Sequence, residues 1–107
     1  MGTEADLLFE VGTPIGFRVQ VTRSRWRLIA MVKHPVIAGR EQQIKAALES
    51  PDEVRQSRSH PAVFLFYRRE TAGRWTCAVA RRNDEDGFLV TAYPTDAIKE
   101  GVRVWPK

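Results

Sequence analysis

Apolar and polar residues alternate from Gly16 to Val21, with Phe17, Val19 and Val21 on one side and Arg18 and Gln20 on the other. A period of two predicts a strand with one buried face. The apolar stretch before it (7–12, LLFEVG) runs into Gly12, Pro14 and Gly16, the punctuation of a turn, so residues 1–13 read as an N-terminal extension or edge strand. At Thr22 the period changes to that of a helix. Thr22 is placed to accept a hydrogen bond from the first turn, and Trp26, Ile29, Ala30 and Val32 recur at helical spacing to about Lys33, with Arg23, Arg25 and Arg27 toward solvent. Pro35 ends this helix, because the residue before a proline is pushed out of the α region; His34 is thereby held at the helix exit. A second helix is predicted over roughly 39–49, burying Ile44, Ala47 and Leu48. Ser50-Pro51-Asp52-Glu53 reads as a cap, a first-turn proline and a capping-box Glu, hence one short helical turn, and 55–60 (RQSRSH) reads as a polar loop.

Beyond residue 60 the period is two again. Residues 62–69 (AVFLFYRR), 75–82 (WTCAVARR) and 88–93 (FLVTAY) predict three strands. The connections at 71–73 and 83–87 are short and end in glycine, which suits antiparallel hairpins. Pro94 closes the last strand, 95–100 (TDAIKE) reads as a capped turn, and 102–105 (VRVW) adds a short edge strand. The expected fold class is a single α+β domain over 1–107: two N-terminal helices packed on an antiparallel β-sheet of three main strands, with an N-terminal and a C-terminal strand added.

A length of 107 residues with 43% hydrophobic and 28% charged side chains suits one globular domain and excludes global disorder. The single Cys77 excludes an internal disulfide framework and a multi-cysteine zinc site. No apolar run approaches the roughly 18 residues of a membrane span, and the acidic start (MGTEADLLFE) is unlike a signal peptide, so a cytoplasmic location without membrane partners is expected. Charge sharpens the picture. Of 17 basic residues 13 are Arg, and residues 54–83 hold seven of them (55, 58, 68, 69, 74, 81, 82) against the one acid Glu70. Guanidinium forks match phosphate, so a polyanion such as RNA is the expected partner, with a solvated Arg-rich surface as the plain alternative.

No HExxH, Walker loop, GxSxG or paired-cysteine motif is present, and no cofactor or metal site is expected. Asp84-Glu85-Asp86 reads as a solvated hairpin tip, Cys77 as a buried core thiol, and Trp26, Trp75 and Trp105 as core. His60, before Pro61, reads as an exposed loop residue. What remains for chemistry is His34, able to exchange a proton near neutral pH or simply to bond the last helix carbonyls, together with Thr91 and Tyr93. These two share a strand face about 7 Å apart along the strand, which ordinary β-propensity also explains. Arg55, Arg68, Arg69 and Arg74 form the expected arginine cluster, with Tyr67 beside it and Arg81–Arg82 toward the opposite hairpin; strand register decides the matter.

Lys33-His34-Pro35, Gly39-Arg40-Glu41, Ser50-Pro51-Asp52-Glu53-Val54, Arg55-Gln56-Ser57, the run 64–68 (FLFYR) and the run 89–96 (LVTAYPTD) together resemble small bacterial and phage-associated domains of the barnase–EndoU–colicin–RelE-type (BECR) nuclease fold. The resemblance covers about residues 14–105. It implies a metal-independent, toxin-like endoribonuclease. By the resemblance His34, Arg40, Thr91 and Tyr93 would surround the scissile phosphate, with Tyr67 and Arg68 as second-line candidates; the arginine cluster read from the strands adds Arg55, Arg69 and Arg74 as expected substrate-binding residues. The resemblance also implies a neutralising antitoxin or immunity protein as partner. The competing expectation is a noncatalytic RNA-binding or protein-interaction domain on the same fold; oligomeric state stays open.

Overall fold

A computed structural model describes residues 6–98 and 100–107. Residues 1–5, the start of the N-terminal stretch, and Lys99, in the expected 95–100 turn, lie outside the described residues.

Alternation at 17–21 produces a strand, as hydrophobic patterning requires: β2 (Arg18–Thr22) pairs antiparallel with β1 (Leu7–Gly12). Thr13 closes the turn between them, its N–H and its hydroxyl both donating to the Phe17 carbonyl. Thr22 then caps α1 (Arg23–Leu28) by accepting from the Arg25 N–H at 3.1 Å. The helix does not continue unchanged to Lys33. At Ile29–Lys33 it widens into a π-helical turn, whose last bond runs from the His34 N–H to the Ile29 carbonyl at 2.8 Å. A 3₁₀ turn (Pro35–Ile37) and α2 (Glu41–Glu49) follow, α2 burying Ile44, Ala47 and Leu48. Strands β3 (Glu53–Gln56), β4 (Val63–Thr71), β5 (Arg74–Asn83), β6 (Asp86–Thr95) and β7 (Val102–Trp105) complete the chain.

This architecture corrects the expected α+β layout. The described residues are mostly β, forming a seven-stranded mixed sheet in the order β1-β2-β6-β5-β4-β3-β7, with α-helices of six and nine residues among them. Two departures account for it. First, β2 pairs in parallel with β6 (Val19 with Gly87, Gln20 with Phe88), joining the N-terminal hairpin to the main sheet. Second, the expected helical turn at 50–53 is absent. Four residues of capping signal cannot repay helix nucleation. Instead the Asp52 N–H donates to the Tyr67 carbonyl, its carboxylate accepts from the Arg69 N–H, and Val54 is fully buried in β3 beside β4.

The connection from β2 to β3 carries the helices across one face of the sheet. There Val19, Val21, Phe64, Phe66, Ala78, Leu89 and Ala92 pack against Trp26, Ile29, Ile44 and Leu48. The connection from β6 to β7 crosses the other face, where Ile98 packs on Leu65, Tyr67, Cys77 and Val79. Arg55 holds that crossing, its guanidinium donating to Glu53 at 2.6 Å and to the Gly101 carbonyl at 3.2 Å. Gly87 sits where β2, β5 and β6 meet. A Cβ there would stand 2.5 Å from the Arg81 carbonyl oxygen and 2.8 Å from the Phe17 ring. Backbone and core ring cannot both withdraw, so Gly87→Ala is expected to cost about 2 kcal/mol or more, as overpacking does. It would be read as a lower urea midpoint with an unchanged m-value.

Candidate functional site

Strand pairing, not sequence proximity, assembles the site. Tyr67, Cys77 and Tyr93 stand side by side on β4, β5 and β6, and the next row places Arg55, Leu65, Val79 and Thr91 in line. Both rows belong to the face opposite the helices. Thr91 and Tyr93 reach that face because of a β-bulge. Ala80 pairs with Leu89 but Val79 pairs with Thr91, so one extra residue enters β6 between them. Without it, Thr91 and Tyr93 would follow Leu89 onto the helical side; with it, Leu89 and Ala92 enter the main core and the two hydroxyls turn away.

β2 accompanies β6 only as far as Phe88, and beyond it no strand among the described residues pairs with the outer edge of β6. The chain leaving α1 covers that edge. Lys33 Nζ donates to the Val90 carbonyl at 3.3 Å, and the half-buried His34 lays its ring against Tyr93, centroids 5.4 Å apart and planes inclined by 46°. Pro35 and the π-helical turn fix His34 at this edge, with a φ of −142° that belongs to neither helix. Arg25 lies 5.8 Å over the ring of the exposed Phe88 on the same strand.

The electrostatics of the rows are set by burial. Desolvation raises the Tyr67 and Tyr93 phenols well above their ordinary range, with hydrogen bonds to Cys77 and the nearby Glu100 adding to it; Arg55 opposes it at Tyr67. Desolvation also pushes the Cys77 thiol up to about 12, although hydrogen bonds from Tyr93 and Tyr67 pull the other way. All three groups therefore stay protonated at neutral pH, so the tyrosines are donors and the thiol is no nucleophile. The Thr91 hydroxyl oxygen is buried and has no hydrogen-bond partner among the described residues. That is unusual for a native interior.

The remaining residues picked out from sequence are spread. Arg40 is exposed at the start of α2, its N–H donating to the Ile37 carbonyl. Among the described residues its side chain has no hydrogen bond or ion pair with His34, Thr91 or Tyr93. The expected arginine cluster does not form as a unit. Arg68 turns to the helical face and donates to the Ser50 carbonyl at 2.6 Å, Arg69 lies 6.0 Å over the Trp75 ring, and Arg74 is exposed at the hairpin tip. Alternation along β4 separates Arg68 from Arg69, and Arg55 is occupied by Glu53 and Gly101. Arg82 is bound to the Asp84 and Ile15 carbonyls over the Phe17 ring. His60 is exposed, its N–H donating to Ser57 Oγ. Sequence reasoning missed Lys33 as an anchor and Cys77 as the link between two tyrosines; the odd-numbered positions of β4 and β5 were the available signal.

Among the described residues no group of three or more His, Cys, Asp or Glu is arranged to hold a metal ion, and no helix is long and apolar enough to cross a membrane. Comparison with protein-family models, with curated proteins and with solved structures finds no match to this chain.

Proposed function

We propose that this protein is a metal-independent endoribonuclease that cleaves RNA by attack of the 2′-hydroxyl, acting at the outer edge of β6. The observation that carries the reading is the meeting of His34 with Tyr93, 59 positions apart in sequence, beside the unpartnered Thr91 hydroxyl. In this reaction the 2′-oxygen bonds to phosphorus, the P–O5′ bond breaks, one proton leaves the 2′-hydroxyl and one must reach the 5′-oxygen. Burial keeps Tyr93 protonated, so it serves as a donor to a nonbridging oxygen or to the leaving group. His34 is then the group that accepts the 2′-proton. Thr91 supplies a second donor, Lys33 adds positive charge beside His34, and Arg40 is the phosphate clamp suggested by the BECR resemblance. Arg69 on Trp75 and the exposed Arg74 carry the flanking strand; Arg68, turned onto Ser50, Arg55, held by Glu53 and Gly101, and the buried Tyr67 are left out.

Labelled single-stranded RNA incubated with the protein in EDTA is expected to yield fragments ending in 2′,3′-cyclic phosphate. Intact RNA after incubation overturns the nuclease reading. Arg25 over the exposed Phe88 favours a second reading, noncatalytic RNA binding through stacking and cation contacts. Binding that weakens steeply with salt, without cleavage, is its signature.

Thr91→Val separates function from packing. Removing an unsatisfied buried hydroxyl at constant shape is expected to raise stability by about 1 kcal/mol, measured as a higher urea midpoint, while RNA cleavage falls.

A further inference from the structure

Of the large apolar side chains exposed among the described residues, Phe88 alone is aromatic, with 42% of it open to solvent. Its direction follows from alternation. Gly87 and Leu89 on either side are buried, Leu89 in the core beneath the helices, so Phe88 turns to the opposite face, the face of Thr91 and Tyr93. Its cross-strand neighbours are Arg81 on β5 and Gln20 on β2. Arg25 arrives from α1 with its guanidinium carbon 5.8 Å from the ring centre, and the ring keeps its exposure with Arg25 in place. The segment from α1 onward thus meets β6 three times, through Arg25 at Phe88, Lys33 at the Val90 carbonyl and His34 at Tyr93. Strand β5 sets the spacing. Phe88 stands opposite Arg81 and Tyr93 opposite Cys77, a separation of about 13 Å along the sheet.

Resting on the nuclease reading, we infer that Phe88 and Arg25 form a subsite for one unpaired base of the RNA, within about two nucleotides of the phosphate held by His34 and Tyr93. The substrate is accordingly single-stranded at that position. Every base has a π-face that can lie on a phenyl ring or a guanidinium plane, and a base must leave its helix to present it. The guanidinium beside the ring adds a cation at the place where the polyanionic strand passes. Stacking reads no hydrogen-bonding edge, so the subsite selects strandedness with little regard for base identity. An acidic peptide, by contrast, would engage Arg25 and gain nothing specific from the ring face.

The test measures coupling between Phe88 and a base. A short fluorescent oligonucleotide made uncleavable by 2′-O-methylation is titrated with the intact wild type and with Phe88→Ala, each base in turn being replaced by an abasic site. Fluorescence anisotropy reads the binding. One abasic position is expected to weaken wild-type binding about tenfold and to leave the already weakened Phe88→Ala unchanged. Phe88→Leu, which keeps apolar bulk and loses the ring face, should behave as Phe88→Ala does. The same sequence in a duplex should bind at least about tenfold more weakly. Cleavage of a deoxy strand carrying one ribonucleotide then places the scissile bond, expected within about two nucleotides of the coupled base. Additive losses from the abasic site and Phe88→Ala, wild-type affinity in Phe88→Leu, equal binding of the duplex, or displacement of the RNA by polyglutamate at equal charge would overturn the inference. The two readings fail separately. Coupling at Phe88 with every RNA left intact removes the nuclease reading and supports the stacking subsite, whereas cleavage without coupling removes the subsite alone.

Discussion

Replacing His34 by alanine is expected to lower RNA cleavage by about 10²–10⁴-fold, the range for loss of a positioned proton-transfer group. RNA affinity should be nearly unchanged. The substitution is safe for the fold: His34 is half-buried, its backbone bonds to Ile29 and Ile37 do not involve the ring, and Lys33 still ties the segment to Val90. Tyr93→Phe makes the complementary cut. It keeps the ring against which His34 lies and removes only the hydroxyl, so a loss of about 10²-fold in turnover, as for one transition-state donor, identifies Tyr93 as a donor. Full activity of Tyr93→Phe would reduce Tyr93 to a support for the imidazole. Because burial holds the Tyr93 and Tyr67 phenols far above neutrality and Cys77 up to about 12, no tyrosine or thiol ionisation should appear in the pH–rate profile between pH 5 and about 9. Wild type and both variants are compared by single-turnover cleavage, with circular dichroism confirming that each is folded.

Stability should fall steeply in alkali, and the Tyr67–Cys77–Tyr93 row is the reason. The unfolded chain releases these protons from the ordinary values, 9.0 for a thiol and 10.0 for a phenol, while the folded protein retains them to higher pH. Raised folded-state values mean a stabilisation that is complete below about pH 9 and withdrawn as pH rises toward the folded values. Each group withdraws about 1.4 kcal/mol per pH unit while it is ionised only in the unfolded chain. Urea denaturation at fixed temperature should therefore show a midpoint insensitive to this row between pH 7 and about 9 and declining beyond it. Tyr67→Phe should flatten the decline above pH 10 by one group's share. A midpoint constant from pH 9 to 11 would show that the row is solvated, contrary to its burial.

Local signals survived wherever one element contained its own cause. Thr22 caps α1, Ile44, Ala47 and Leu48 form the buried stripe of α2, and the three long strands lie near their expected ranges because alternation and Gly-ended turns are local properties. Failures came where a partner overruled a local preference. The capping signals of 50–53 yielded to pairing of β3 with β4, and the helix through Lys33 widened into a π-turn where it meets the edge of β6. The mixed sheet itself was not legible. Nothing in the GFRVQV segment names β6 as its parallel neighbour, since that pairing is made only after the helices have crossed the sheet.

The candidate site divides in the same way. From the sequence alone followed the position of His34 at a proline-limited helix exit and a shared strand face for Thr91 and Tyr93, because both depend on bonds within a few residues. Which face that was depended on one extra residue in β6. Side chains alternate with a period of two, so the bulge moved both hydroxyls from the core side to the side of Cys77 and Tyr67. The same alternation parted Arg68 from Arg69 and dissolved the expected arginine cluster. Composition and local order therefore determined an arginine-rich chain with one imidazole held at a proline-limited helix exit. Only the tertiary structure, by setting register across strands distant in sequence, decided what that imidazole touches.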